Sequence, residues 1–290
     1  MGVNDHFAGT FEITTTVLKN GCAVACTVCP QTVLVNSYRP EENRTHLSFE
    51  DFKTILNKVP KNYRIDFAGY AEPFLNKDCS KMMQYAVDQG YQICCYTTLV
   101  GAKLEDIEIL SKLPFSKARA CPLHIHVPDK NGVMPIKVTE TYRNLLKNLL
   151  DRNLPFVNCM TMDSSGEPHP KILDIVGNLK SWKPISRANN IDLEEREEEE
   201  WKEANYRIGG RIMCKAMPKL NHNILMPNGD VQLCCMDYGL KHTLGNLLSQ
   251  DHKSLFSGEE FQKVVSNMIF DEEQFEDDIL CRNCELAVGF

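Results

Sequence analysis

Apolar and polar positions run in two alternating patterns along the first two-thirds of the chain. Strand-like runs rich in β-branched and aromatic residues cover Phe11–Val17, Tyr63–Ala68, Tyr91–Thr98, Pro155–Thr161 and Ser181–Ser186, and Lys117–Val127 reads as extended. Helical spacing falls between them, at Leu47–Val59, Lys77–Asp88, Leu104–Leu113, Thr139–Asp151 and Lys171–Asn178. Ser48 with Asp51 three residues on has the form of a capping box at the first of these helices. A strand–helix alternation repeated about six times predicts a parallel sheet with helices outside it. In barrel-type α/β proteins the chemistry sits at the C-terminal ends of the strands. The loop after the first predicted strand holds Cys22, Cys26 and Cys29.

The pattern then changes. The run Asp192–Glu200 is almost wholly charged and reads as a solvated linker. It divides the chain into residues 1–205 and 206–290. In the second part, Ile224–Cys235 predicts two strands around an Asn-Gly turn. Leu255–Ile269 predicts a helix, and Cys281-Arg-Asn-Cys284 follows near the end.

Composition narrows the function classes. Hydrophobic residues make up 43% of 290, enough for a core of one large barrel plus an appendage. A net charge of −7 disfavours a nucleic acid as main partner. No apolar run predicts a membrane span, and the first residues lack the basic and apolar regions of a signal peptide, so a cytoplasmic protein is expected. His6 occupies the Ser/Thr position of a myristoylation site, which argues against lipidation. Thirteen cysteines in a reducing compartment point to metal ligands rather than disulfides.

Cys22, Cys26 and Cys29 have Cys-x3-Cys-x2-Cys spacing, which suits three corners of an iron–sulfur cube and leaves one iron open. Zinc is the alternative, although zinc takes four ligands and no fourth stands nearby. The spacing resembles the radical S-adenosylmethionine (SAM) superfamily, except that Val28 replaces the usual aromatic residue before the third cysteine. Phe67-Ala-Gly-Tyr-Ala-Glu-Pro-Phe-Leu75 is similar to that family's Gly-x-Gly-Glu-Pro stretch. The similarity implies that Gly69, Ala71 and Glu72 hold the methionine end of SAM. Thr97 and Thr98 end the third strand, where a hydroxyl can reach SAM; His124 and His126 end the fourth, and His126 can touch ribose or substrate.

Cys214, the pair Cys234/Cys235, Cys281 and Cys284 supply a second set of thiols. Spacing alone fits structural zinc as well as a cluster. The string Cys…Asn-Gly-Asp-Val-x-x-Cys…Gly-Asn…Cys-x2-Cys resembles the twitch form of the SPASM extension, with Gly245-Asn246 at the family's Gly-Asn. That resemblance implies an auxiliary [4Fe–4S] cluster on Cys214, Cys234, Cys281 and Cys284. Adjacent strand residues face opposite ways, so Cys235 should point away from the cluster, as a packing residue or a thiol hydrogen donor to substrate. Cys79, Cys94, Cys95, Cys121 and Cys159 are assigned to packing.

The resemblance implies a partial (β/α)6 TIM-like barrel followed by a small α+β twitch/SPASM domain. It also implies two [4Fe–4S] clusters, SAM, and an external electron donor such as flavodoxin or ferredoxin. Relatives of this size include an aminocyclitol dehydrogenase, so oxidation of a sugar-like hydroxyl ranks first, ahead of epimerisation and peptide maturation. A metal-bound scaffold without activity is the non-enzyme alternative. About ten residues precede the first predicted strand, too few for a leader-binding domain, so a small-molecule substrate is expected.

Overall fold

A computed structural model describes residues 7–115, 122–154, 156–179, 185–191, 207–270 and 279–290. Five parallel strands lie in chain order: β1 (Gly9–Ile13), β2 (Tyr63–Phe67), β3 (Gln92–Thr97), β4 (Leu123–His126) and β5 (Val157–Met160). Helices connect them, including Phe49–Leu56, Cys79–Asp88, Leu104–Leu110 and Glu140–Leu150. The predicted cap at Ser48 is present, its hydroxyl accepting from Asp51 N at 3.0 Å. Thr139, predicted as the first residue of a helix, instead caps Glu140–Leu150 from outside.

The sixth predicted strand and the charged run fall almost wholly outside the described residues. Among the described residues the other edge of β1 is taken by the C-terminal part of the chain. After β6 (Ile212–Cys214), β7 (His222–Leu225) pairs parallel to β1, and β8 (Asp230–Gln232) and β9 (Thr243–Asn246) add antiparallel beyond it. The result is one eight-stranded sheet. β10 (Ala287–Gly289) pairs with β6 in a separate two-stranded sheet.

Alternation sorts the strands into two faces. Phe11, Ile13, Ile65 and Phe67 join Phe52, Ile55, Met82 and Met83 in the main core under the helices. Their neighbours in sequence, Glu12, Arg64 and Asp66, are buried on the opposite, inner face. Asp66 takes two bonds from Arg64, at 2.6 and 2.5 Å, and Glu12 pairs with His222 at 2.6 Å. Such a buried polar surface costs free energy unless paired. These pairs therefore keep the inner face of the sheet polar.

Two predictions about the C-terminal part are modified. The helix over Leu255–Ile269 is two helices, His252–Ser257 and Glu259–Ile269, because Gly258 adopts an extended conformation between them (φ −70°, ψ 158°). The Asn-Gly turn is as predicted: Gly229 has φ +92°, and a Cβ there would come within 2.8 Å of Asn246 Oδ1. Asn246 in turn donates to Asn228 O and Asp230 Oδ1 at 3.0 and 2.9 Å, latching β9 onto the hairpin. Arg282, between two cysteines and 1% exposed, donates at 2.9 Å to the carbonyls of both Ile208 and Gly210. It also donates to Asn267 O at 2.5 Å, so one buried cation draws three segments around Cys281 and Cys284.

Candidate active-site cleft

The C-terminal edges of β1 to β4 open into one cleft lined by Cys22, Cys26, Cys29, Gly69, Ala71, Glu72, Thr97, Thr98 and His126. Every residue predicted for the first metal set and for SAM lines it. Parallel pairing places these strand ends side by side, which is why segments far apart in sequence converge.

Gln31 shapes the cysteine loop. Its side-chain oxygen accepts from Cys22 N at 2.8 Å, and its amide group donates to Tyr70 O at 2.6 Å and Cys29 Sγ at 3.2 Å. Ala25 turns the loop with φ +53°. The amide of Glu72 points at Cys22 Sγ, 3.4 Å away. Val28, which departs from the usual aromatic, is 2% exposed and still covers one wall. Gly69 has φ +69°, and a Cβ there would fall 2.9 Å from Thr14 backbone atoms, so only glycine lets β2 close onto β1. Ala71 has no positive φ, and its methyl is accommodated.

Glu72 is 5% exposed. It accepts from Thr97 Oγ1 and Phe74 N at 2.5 and 3.2 Å on one oxygen, and from Thr98 N and Oγ1 at 2.6 and 2.7 Å on the other. All four donors are neutral. Burial pushes the carboxyl above the usual carboxylate range, against the pull of these hydrogen bonds. A buried carboxylate ringed by neutral donors at a cleft wall is suited to a cationic ligand group. The hydroxyls of Thr97 and Thr98 can swivel to release lone pairs to it.

His126 is held neutral, its pKa pushed down to about 4 by burial first and then by the charges of His124 and Arg187. His124 stacks on Tyr96 at 4.6 Å. Asp129, three residues past His126, caps a turn by accepting from Val133 N and Met134 N at 2.9 and 2.7 Å.

Sequence reasoning missed Gln31, Tyr70, Arg187 and Tyr238. Arg187 lines the cleft, and its buried Nε has no hydrogen-bond partner among the described residues. Tyr238 Oη stands 3.5 Å from Cys29 Sγ. Its ring contacts that of Tyr70 at 4.7 Å, and Tyr70 OH donates to Cys234 O at 2.8 Å. No local periodicity marks these residues; only the position of Tyr238 four residues after Cys234 was visible in the sequence.

A second, apolar cavity is lined by Cys214, Cys234, Cys281 and Cys284 with Leu233, Met236 and Leu280. Cys235 is absent from its wall and lies near Glu12 and Arg187, which perturb its thiol; burial first, then the Glu12 charge, pushes it up to about 12. The two cysteines lie past the end of β8, so a chain bend rather than strand alternation separates them. Cys79, Cys94 and Cys95 are buried as packing residues, Cys159 is partly buried, and Cys121 lies outside the described residues.

Both cysteine sets fit a cluster better than a single zinc ion. Zinc with bonds of about 2.3 Å needs sulfurs about 3.8 Å apart. Glu12, Asp66 and His222 form the one group of three ligand-type atoms within 4.8 Å of one another among the described residues, so the sulfurs of each set are more widely splayed. That acidic–histidine group is already paired internally. A cubane, larger than one ion, matches wider thiolate sets.

Residues 214–285 match the SPASM family, described as an iron-sulfur cluster-binding domain. The fold is similar to that of BtrN in complex with AdoMet and 2-DOIA (TM-score 0.61, 17% identity, 98% of this chain and 94% of that one). It is also similar to anSMEcpe with bound AdoMet (TM-score 0.51, 13% identity, 95% and 86%) and to Streptococcus suis SuiB (TM-score 0.54, 14% identity, 97% and 71%). The C-terminal part of the chain is thus a SPASM-type domain, and the fold of the whole is similar to that of enzymes solved with AdoMet bound. The family match gives residues 214–285 the character of an iron–sulfur cluster-binding domain, and the structural neighbours bind AdoMet. A 7,8-dihydro-6-hydroxymethylpterin dimethyltransferase of Methanocaldococcus jannaschii is 32% identical over 134 residues, covering 37% of this chain and 26% of that protein. The chain thus spans about a quarter of the length of this curated relative. Among the described residues no helix is long and apolar enough to cross a membrane.

Proposed function

We propose that this chain is a radical SAM oxidoreductase that oxidises a hydroxyl of a sugar- or aminocyclitol-like small molecule. In this reading Cys22, Cys26 and Cys29 hold the catalytic cluster, and Cys214, Cys234, Cys281 and Cys284 the auxiliary one. When bound, the clusters and SAM supply a 5′-deoxyadenosyl radical that removes a hydrogen atom from a C–H bond, and an acceptor for the second electron.

The chain's own residues do the rest. Gly69 and Ala71 let the backbone approach the methionine end of SAM, and Glu72 takes its ammonium. Thr97 and Thr98 orient Glu72. Arg187 offers a guanidinium donor to a substrate oxygen. His126, neutral and half-buried at the cleft, offers a ring nitrogen for the hydroxyl proton released on oxidation. The polar inner face of Glu12, Arg64, Asp66 and His222 suits a substrate rich in hydrogen-bonding groups. An external donor such as flavodoxin or ferredoxin, in a reducing cytoplasm, completes the cycle. The division near residue 206 is kept as two functional parts that share one sheet.

The observation that carries oxidation is a chain of contacts that joins the two cysteine sets: Tyr238 Oη lies against Cys29 Sγ, its ring packs on Tyr70, and Tyr70 OH donates to the Cys234 carbonyl. Cys235, which lies near Glu12 and Arg187, keeps epimerisation as the second reading, with its thiol as the hydrogen donor.

The test is anaerobic incubation with SAM and a reductant against aminocyclitols, sugars and peptides. The expected result is 5′-deoxyadenosine formed only with a sugar-like compound, which loses two daltons. Turnover confined to a peptide would replace this reading with maturation, in line with the similarity to SuiB bound to precursor peptide SuiA.

The two adjacent cysteines give a separate prediction. Cys234→Ala should halve bound iron, from about eight to about four per chain, while Cys235→Ala should leave it unchanged. Iron loss on Cys235→Ala alone would reverse the assignment. Full iron with stalled turnover after hydrogen abstraction would favour epimerisation.

A further inference from the structure

Arg187 reaches the cleft from an unusual piece of backbone. Arg187, Ala188 and Asn189 have φ of +54°, +53° and +61°, three successive non-glycine residues in the left-handed region. Each is disfavoured for an L-residue, and such residues occur singly rather than in runs. The loop therefore needs an external holder.

That holder is one carboxylate from the far end of the chain. Glu285 Oε1 accepts from Arg187 N at 3.0 Å, and Oε2 accepts from Ala188 N at 3.1 Å and Ser186 Oγ at 3.0 Å. Successive backbone amides that converge in this way make an anion-binding concavity. Ser186 Oγ then accepts from Asn189 N at 3.1 Å, extending the network around the turn. Asn190 Nδ2 donates to Arg187 O at 2.7 Å and lies 3.4 Å from Met236 O, two residues past Cys234. Glu285 itself directly follows Cys284. The loop that carries Arg187 is thus fastened to both chain segments that bring cysteines to the second cavity.

We propose that Glu285 is a positioning residue that makes the aim of Arg187 depend on the filled auxiliary site. Metal on Cys281 and Cys284 fixes the backbone on which Glu285 stands. Glu285 fixes the strained turn, and the turn directs the guanidinium into the cleft. The auxiliary domain then shapes substrate recognition in addition to accepting an electron. The inference rests on the reading of the cleft as the SAM and substrate site, and of Cys214, Cys234, Cys281 and Cys284 as the auxiliary ligands.

The test is hydrogen exchange by mass spectrometry on the full-length, iron-loaded protein, with iron counted in each sample. In Glu285→Ala, amides of residues 186–190 should exchange at least tenfold faster, while the rest of the barrel is unchanged. Glu285→Gln should fall between, since its amide keeps one accepting oxygen. Ser186→Ala, which removes one of the three bonds far from any cysteine, should give a rise of a few-fold with iron intact. Cys281→Ala, which strips the auxiliary site but leaves Glu285, should reproduce the Glu285→Ala pattern in residues 186–190. Phenylglyoxal labelling of Arg187, read by mass in the same samples, should rise in parallel; a purely structural role for Glu285 would not move it while iron stays full. Unchanged exchange and labelling in Glu285→Ala and Ser186→Ala would overturn the inference, as would a rise spread over the whole C-terminal part with loss of iron in both. Failure of the cluster reading is told apart by the iron count: protein that binds no iron refutes that reading, whereas full iron with an unmoved loop refutes only the role of Glu285.

Discussion

Replacing Cys22, Cys26 and Cys29 together with alanine is expected to lower bound iron from about eight to about four per chain and to abolish SAM cleavage. The three thiols line the same cleft and stand on one loop that Gln31 fastens at Cys22 and Cys29. Burial is the largest influence raising the Cys22 and Cys26 thiols, and the neighbouring cysteines add to it, so without metal they stay protonated. Metal ligation must displace those protons, which couples all three sulfurs into one site. The loss should therefore be close to all-or-none rather than a third per residue. Tyr238 loses its contact with Cys29, but Tyr70 should stay in place, because its hydroxyl donates to the backbone carbonyls of residues 234 and 237. The remaining iron then reports the second set. Anaerobic iron analysis with assay of 5′-deoxyadenosine measures both effects. Stoichiometric zinc with no iron uptake in the unaltered protein would refute the cluster assignment.

The Glu72→Gln substitution is expected to weaken SAM binding by about ten- to a hundredfold, with both clusters retained. Loss of a charge-assisted hydrogen bond to an ammonium costs about 1.5–3 kcal/mol, and each 1.4 kcal/mol is about tenfold. Burial keeps the Glu72 carboxyl above its ordinary range. Binding by the ionised form is then lost as pH falls through that raised value, so SAM affinity should drop at a pH above the normal carboxylate titration. The Gln variant should show no such drop. Equilibrium titration with SAM across pH, alongside iron counts, separates the two. Equal affinity in both proteins would mean that Glu72 serves only to join the ends of β2 and β3 through Thr97 and Thr98.

Much of the scaffold was legible because its signals are local. The cysteine spacings, the Ser48 cap and the Asn-Gly hairpin each depend on residues within a few positions of one another. The strand–helix alternation depends on periodicity within ten to fifteen residues, a range that side-chain direction alone dictates. Glycine is less legible: the spacing over Leu255–Ile269 predicts one helix through Gly258, yet this residue splits two, because an isolated glycine is tolerated in either state until packing decides.

By itself, then, the sequence determined the parallel βα scaffold and the two cysteine sets. It also placed the first set beside a glutamate motif at strand ends. Only the tertiary structure decided that β7 would close against β1, that Tyr70 and Tyr238 would bridge the two sets, and that Arg187 would enter the cleft on a turn held by Glu285. These pairings join residues separated by 98 positions at Arg187 and Glu285 and by 212 at Thr10 and His222. At such distances no periodicity relates the partners; what selects them is burial, and the need of each buried polar group to find a partner once the chain has folded.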